Sequence, residues 1–250
     1  MLNVSREGRV LRLEMNRPEK RNALNGELCR KLVDAIEGTQ TDESVGAILL
    51  SGAGASFCSG MDLSEMLTPA EVSLADVHEQ LFTIGCRTTI PIIAAVHGAA
   101  LAGGTGLAAN AHIVIASEDV TFGLTEIRIA LWPFVIYRAV VDAIGDRRAL
   151  ELSITGRIFG ANEAAGMGLA HFVTPSGDLM KRAGEMARSV AAMSSTTMRS
   201  GMRFVSETRG LDEEKAGKIA KRFREEVFRT PDFAEGIKAF REKRPPRWNS

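Results

Sequence analysis

Apolar residues fall along this chain in short blocks, spaced now as in a strand and now as in a helix. Val10, Leu11, Leu13 and Met15 follow a Glu7-Gly8 turn and predict the second arm of a hairpin. Asn25 stands just ahead of Leu28, Leu32, Ala35 and Ile36, the pattern of a capped helix with one apolar face. Val45-Gly46-Ala47-Ile48-Leu49-Leu50 is a continuous apolar run of strand length, expected for a strand buried on both faces. A loop rich in glycine, serine and alanine is expected over 51–60, and a helix over about 69–87. A strand over 92–96 should lead into a second glycine-rich turn, Gly103-Gly104-Thr105-Gly106, with short strands at 112–116 and 120–122. Beyond Pro133 the pattern is helical apart from a short strand at 171–173, and the helices over 211–240 are charged and amphipathic. Strands alternating with helices, then a run of helices, predict an α/β core with a helical C-terminal part.

Composition narrows the classes. The 250 residues, 45% hydrophobic and 25% charged, suit a globular chain with a substantial core. Lysine plus arginine equals aspartate plus glutamate at 31 each, which argues against a general nucleic-acid binder. Three cysteines without a Cys-x-x-Cys pair argue against a disulfide framework or structural zinc and fit a reducing, cytoplasmic setting. The N-terminal residues have no apolar signal core. The apolar stretch 90–111 contains Pro91, His97 and four glycines, so it reads as strand, turn and helix rather than a membrane span.

Candidate chemistry centres on two glycine-containing loops, Cys58-Ser59-Gly60-Met61-Asp62-Leu63 and Ala102-Gly103-Gly104-Thr105-Gly106. Backbone N–H groups freed there could converge on one oxygen as an oxyanion hole. On spacing alone the plainer reading, tight turns and close helix packing, is favoured. No P-loop, dinucleotide fingerprint or Gly-x-Ser-x-Gly elbow is present, which leaves Ser56 and Ser59 weak as nucleophiles. The four histidines show no metal-ligand spacing and are read as structural. Glu126, just past a predicted strand and flanked by apolar residues, is a candidate buried acid with a raised pKa. A charge complementing a helix N-terminus explains it equally simply, and spacing alone favours that reading.

Four segments taken in order change these odds. Asn16-Arg17-Pro18-Glu19-Lys20-Arg21-Asn22-Ala23-Leu24-Asn25 resembles the CoA-binding segment of the enoyl-CoA hydratase/isomerase (crotonase) family. Gly54 through Leu63 resembles its first oxyanion loop, Gly98-Ala99-Ala100-Leu101-Ala102-Gly103-Gly104 its second, and Glu126 falls where the family carries an acid. The resemblance implies a crotonase-like spiral of ββα turns, an α/β core over 1–195 and a C-terminal helical trimerisation region over 196–250. It implies a homotrimer or hexamer acting on acyl-CoA, with no cofactor, metal, nucleic acid or membrane partner.

Carried over residue by residue, the resemblance gives Met61 and Gly103 N–H as the oxyanion hole and Glu126 as the proton-transfer group. CoA or substrate contacts are expected from Lys20, Arg21, Ala23 (near the adenine), Leu24, Ser59, Gly60, Asp62, Leu63, Gly104, Leu131 and Pro133. Lys243 is expected to reach the CoA phosphates held by a neighbouring subunit, and residues 66–73 to shape the acyl pocket. Two departures stand out: Gly106 replaces the second hydratase glutamate, and Pro133-Phe134-Val135-Ile136 replaces a glycine-rich turn. One base suffices to move a double bond from position 3 to position 2, so the sequence leans to isomerisation. Hydration of a 2-enoyl-CoA, thioester hydrolysis and non-catalytic acyl-CoA binding follow as alternatives.

Overall fold

The computed structural model describes residues 1–65 and 74–248. The chain opens with β1 (Leu2–Glu7) and β2 (Val10–Met15), an antiparallel hairpin as the sequence predicts. Helix α1 (Gly26–Glu37) follows, its first turn capped by Asn25, whose side-chain oxygen accepts from Leu28 N–H at 3.0 Å. The chain then enters β3 (Ala47–Gly52), α2 (Leu74–Arg87) and β4 (Ile92–Val96). With β6 (Ile113–Ser117) and β9 (Phe172–Thr174) they build a six-stranded sheet in the order β1-β2-β3-β4-β6-β9, parallel from β2 onward.

Both faces of that sheet are covered, which explains the unbroken apolar runs. Ile48, Leu50, Ala94, Val96, Val114 and Ala116 point into the main core beneath α1 and α2. Their alternates Ala47, Leu49, Ile93, Ala95 and Ile115 meet Leu179, Ala183 and Ala187 of α7 (Leu179–Ala191) on the other face.

A second, three-stranded sheet lies across the first one's C-terminal end. It holds β5 (Ala99–Leu101), β7 (Thr121–Gly123) and β8 (Ile158–Gly160). Helix α3 (Gly103–Asn110) leaves β5, and α4 (Phe134–Ile144), α5 (Asp146–Thr155) and α6 (Ala161–Met167) close that side. The chain ends in α8 (Ser195–Thr208), α9 (Glu213–Phe228) and α10 (Pro231–Glu242). Arg199 pins α8 to the core by donating to the carbonyls of Gln40 (2.8 Å), Thr39 (3.1 Å) and Asp42 (2.8 Å).

Several boundaries differ from the sequence reading. β3 starts at Ala47 and takes Ser51 and Gly52 from the expected loop, because its register is set by pairing with Val10–Met15. Gly103–Gly106 is the first turn of α3 rather than a free turn. β5 falls in the stretch between the strand over 92–96 and the glycine-rich turn, and β8 interrupts the stretch read as helical; both are defined by pairing with β7. The part of the expected 69–87 helix before Leu74 lies outside the described residues, as does the acyl-pocket segment 66–73. Among the described residues no helix is long and apolar enough to cross a membrane.

Candidate active site

The first site loop is held as a strip of strand between two others. Leu24 N–H donates to Gly60 C=O (2.8 Å) and Asp62 N–H to Leu24 C=O (2.9 Å), a parallel bridge centred on Met61. On the opposite edge Cys58 N–H donates to Ala99 C=O (3.0 Å) and Leu101 N–H to Cys58 C=O (3.0 Å). In a parallel bridge the central residue turns its own N–H away from its partner. Met61 N–H therefore points to neither strand, and it finds no acceptor among the described residues.

The second N–H comes from α3. As the helix's first residue Gly103 has no intrahelical acceptor, and it carries the positive end of the helix dipole. Ala102, just before it, is held in a left-handed conformation (φ 51°) unusual for a residue with a Cβ, of a kind that costs roughly 1–3 kcal/mol. Its own N–H donates to Gly123 C=O at 2.7 Å, and Thr105 Oγ accepts from Gly123 N–H at 3.1 Å, locking α3 onto β7. Gly60 (φ 101°) is what lets the two loops touch: a Cβ there would lie 2.9 Å from Ala102 Cβ and 3.5 Å from Gly103 N.

Both loops open onto a cavity of about 490 Å³. Met61, Gly103, Leu24, Ser59, Leu63, Leu131, Pro133 and Glu126 line it, together with His78, Phe82, Trp132 and Ile136. Glu126 sits in the short 3₁₀ turn Thr125–Ile129 directly after β7, so the register that fixes Thr105 also fixes the acid. The residue is 8% exposed, and its Oε2 is buried with no hydrogen-bond partner among the described residues. Burial without a cation pushes its pKa up from 4.5 to about 7. Two unpaired N–H donors and a weakly acidic carboxyl facing one apolar cavity can hold a developing oxyanion and shuttle a proton beside it.

The likeness to known proteins runs along the whole chain. Residues 5–250 match the family model for enoyl-CoA hydratase/isomerase. The chain belongs to the enoyl-CoA hydratase/isomerase family. It is similar to enoyl-CoA hydratase EchA19 of Mycobacterium tuberculosis, 36% identical over 99% of this chain and 96% of that one. The 2,3-dehydroadipyl-CoA hydratase of Escherichia coli is 32% identical over 98% and 97%. The crystal structure of an enoyl-CoA hydratase from Mycobacterium smegmatis superposes with a TM-score of 0.93 at 29% identity, covering 100% of this chain and 99% of that one. The crotonase fold is thereby shared throughout, helical C-terminal part included.

Not every site residue expected of a hydratase/isomerase reaches the cavity. Lys20 and Arg21 are exposed beyond it, and Ala23 is buried behind Leu24. Gly60 and Gly104 act through absence of side chain: a Cβ on Gly104 would fall 2.1 Å from Cys58 C=O. Asp62 is turned inward, accepting from Ser64 Oγ (2.6 Å) and Arg17 Nη2 (2.9 Å), which hold its carboxyl below the usual range. Lys243 lies exposed at the end of α10 and does not line the cavity.

Two contributors escaped the sequence reading. Asn22, fully buried, donates to the carbonyls of Ala53 (2.9 Å) and Ser56 (2.8 Å) and accepts from Arg17 N–H (2.8 Å), so it ties the segment 16–25 to the first glycine-containing loop. His78 lines the cavity, whereas the other histidines brace backbone: His97 at Gly54, His112 between Ile92 and Gly85, and His171 at Val114.

Two measurements probe this geometry. The folded protein keeps the Glu126 proton between pH 4.5 and 7, where the unfolded chain has lost it. The group therefore lowers native stability progressively as pH rises through that window, by on the order of 3 kcal/mol in full. Urea unfolding should find Glu126→Gln gaining on wild type from pH 4.5 to pH 8; a constant difference would mean the acid is not buried as described. For the donors, Met61→Ala keeps the N–H and should be mild. Gly103→Val brings a branched side chain against Leu24 and Phe82, each 3.2 Å from the Cβ position, and should raise the barrier by about 3 kcal/mol. A more damaging Met61→Ala would contradict a backbone oxyanion hole.

Proposed function

We propose that this enzyme moves protons on an enoyl-CoA thioester through an enolate. Met61 and Gly103 N–H hold its oxygen, and Glu126 is the proton-transfer group. The observation that carries this reading is the buried, unpartnered Glu126 carboxyl in the cavity that both unpaired N–H groups border. A thioester carbonyl seated between the two donors gains negative charge as a proton moves at the α carbon or a nucleophile adds at the β carbon. A carboxyl with a pKa near 7 is substantially present in both forms at neutral pH, so it can accept a proton in one half-reaction and return it in the other. The segment around Lys20–Leu24, with Leu63, is taken to contact the CoA moiety, in a cytoplasmic enzyme.

Hydration of a 2-enoyl-CoA is the first reading within that chemistry, because the named relatives are hydratases. Glu126 alone then takes a proton from water and delivers one to the α carbon. Isomerisation of a 3-enoyl-CoA, the reaction the sequence leaned to, stands second on one observation. A Cβ on Gly106 would meet Ile136 Cγ2 at 2.4 Å and Cβ at 2.7 Å, with Phe82 at 3.2 Å. Where a second carboxylate would enter, the wall is filled by Ile136. Thioester hydrolysis and mere binding are the remaining outcomes of a substrate panel.

The assembly is taken to be a homotrimer or hexamer built through the region 196–250. Phe233 stacks on Phe228 at 4.7 Å, while Ile237 and Phe240 on the same face of α10 remain 42% and 83% exposed. An apolar face of that size favours a partner.

In a turnover panel of 2-enoyl-, 3-enoyl- and saturated acyl-CoAs, Glu126→Gln should lose at least about 100-fold while still binding CoA. Near wild-type turnover would remove Glu126 from the mechanism. Gly106→Glu alone should damage packing against Ile136; paired with Ile136→Gly it should raise hydration relative to isomerisation. In sedimentation the protein should run as a trimer or hexamer. Deleting 230–250 should weaken CoA binding, and Lys243→Ala should weaken it by about 1 kcal/mol or less. A fully active monomer would refute this assembly.

A further inference from the structure

The two amides of the oxyanion site differ in what stands behind them. Gly103 N–H belongs to the peptide whose carbonyl, Ala102 C=O, accepts from Gly106 N–H at 3.1 Å, so a helix dipole backs it. Met61 lies outside any helix, and its N–H belongs to the peptide whose carbonyl, Gly60 C=O, accepts from Leu24 N–H at 2.8 Å. Leu24 N–H in turn shares a planar unit with Ala23 C=O, and that carbonyl accepts from Arg17 Nη1. In a trans peptide the N–H and C=O point opposite ways. The guanidinium, the Ala23–Leu24 peptide and the Gly60–Met61 peptide are therefore aligned head to tail, and the Met61 N–H is the end of the series.

The guanidinium is held for that task. Its Nη2 donates to Asp62 Oδ2 at 2.9 Å, and the two side chains are 12% and 9% exposed. Asp62 directly follows Met61, and its other oxygen accepts from Ser64 N–H (3.2 Å) and Ser64 Oγ (2.6 Å). The Ser64 bond and then the Arg17 bond hold its carboxyl below the usual range, so the partner of Arg17 is a carboxylate at neutral pH. The Arg17 backbone is fixed by Asn22, whose side chain accepts from its N–H (2.8 Å) and whose N–H donates to its C=O (2.9 Å). Neither Arg17 nor Asp62 lines the cavity, so an effect of either on the reaction passes through Met61. The neighbouring ties, Ser59 N–H to Arg21 C=O (3.0 Å) and Asp62 N–H to Leu24 C=O (2.9 Å), hold other peptides of the strip. A planar fork with one arm on a carboxylate and the other on a carbonyl fixes direction as well as charge, and hydrogen bonds in series strengthen one another.

We infer that Arg17 is a positioning residue, a role that rests on the enolate reading above: through two peptide units it aims and polarises the Met61 N–H at the enolate oxygen, while Asp62 keeps its guanidinium in place.

The test pairs 2-enoyl- and 3-enoyl-CoA turnover with binding of hexanoyl-CoA, which is saturated and carries an isotope label at its thioester carbonyl. Wild type, Arg17→Met, Arg17→Lys and Asp62→Ala are compared per binding-competent site, counted by calorimetry, so that unfolded chains do not enter. Arg17→Met should lose about 10-fold in kcat, less than the loss of roughly 100-fold or more on removing a donor outright. Its Kd values for CoA and hexanoyl-CoA should change by less than about 3-fold, because the interaction strengthens as charge develops on the oxygen. In the infrared the labelled carbonyl should show a smaller downshift on binding Arg17→Met than on binding wild type. Arg17→Lys keeps a cation able to donate to Ala23 C=O and should recover part of both effects. Asp62→Ala, which frees the guanidinium, should lie between wild type and Arg17→Met. A lowered melting temperature with wild-type kcat and carbonyl stretch would mean a purely structural ion pair and overturn the inference. A weaker Kd for CoA with kcat unmoved would overturn it too, by making these residues CoA contacts. If Arg17→Met does not fold, Arg17→Lys and Asp62→Ala decide, and wild-type downshifts in both reject the inference. If wild type turns over neither enoyl-CoA, the proposed reaction fails while the carbonyl stretch still decides the role of Arg17. A wild-type carbonyl with no downshift sinks the amide pair and the inference together.

Discussion

Bridging of residues 58–62 between Leu24 on one side and β5 on the other is the constraint from which the site follows. A strip of backbone bonded on alternating edges must present its intervening N–H groups somewhere, and at Met61 that direction is the cavity. Gly60 allows α3 to approach within contact distance, and the strained Ala102 turns Gly103 N–H toward the same side. Side chains play little part in this arrangement. Their contribution is to prevent movement, chiefly through Asn22 and Thr105, whose hydrogen bonds join segments distant in sequence.

Electrostatics then divides the site into two characters. The amide end is polar and preorganised, with a helix dipole behind it. The carboxyl end is apolar, and its acid is weak because nothing nearby compensates the charge it would carry. Such an acid destabilises the fold when ionised, which is the usual relation between a functional group and the stability of the protein holding it. Ile136 and Phe82 line the same cavity and close on the Gly106 position.

Much of this is legible in the amino-acid sequence. The long apolar blocks set β2, β3, β4 and α1, and Asn25 marked a helix start to the residue. Glu126 stood out by its apolar neighbours, and the structure finds it buried in the cavity wall. Spacing alone favoured packing for the loop glycines, and for Gly104 that is what the geometry gives; at Gly103 the same reading missed an N–H without an acceptor. β5 and β8 are not legible in the sequence, because each is defined by pairing with β7, a partner distant along the chain. Whether a polar side chain turns toward the cavity depends on neighbours distant in sequence, as Asp62 shows by accepting from Arg17.

The bridge at Met61 also bears on how the molecule is made. The Leu24, Cys58, Ala100 and Gly123 neighbourhoods meet only when long intervening stretches have already been closed into loops. Contacts of such sequence separation form late, since the entropy of closing each loop must be overcome before the pairing rewards it. The two amides can therefore converge only once both loops have closed, whatever helices the chain has gained. Recovery of activity during refolding would report the completed topology, arriving after the spectroscopic signal of secondary structure rather than with it.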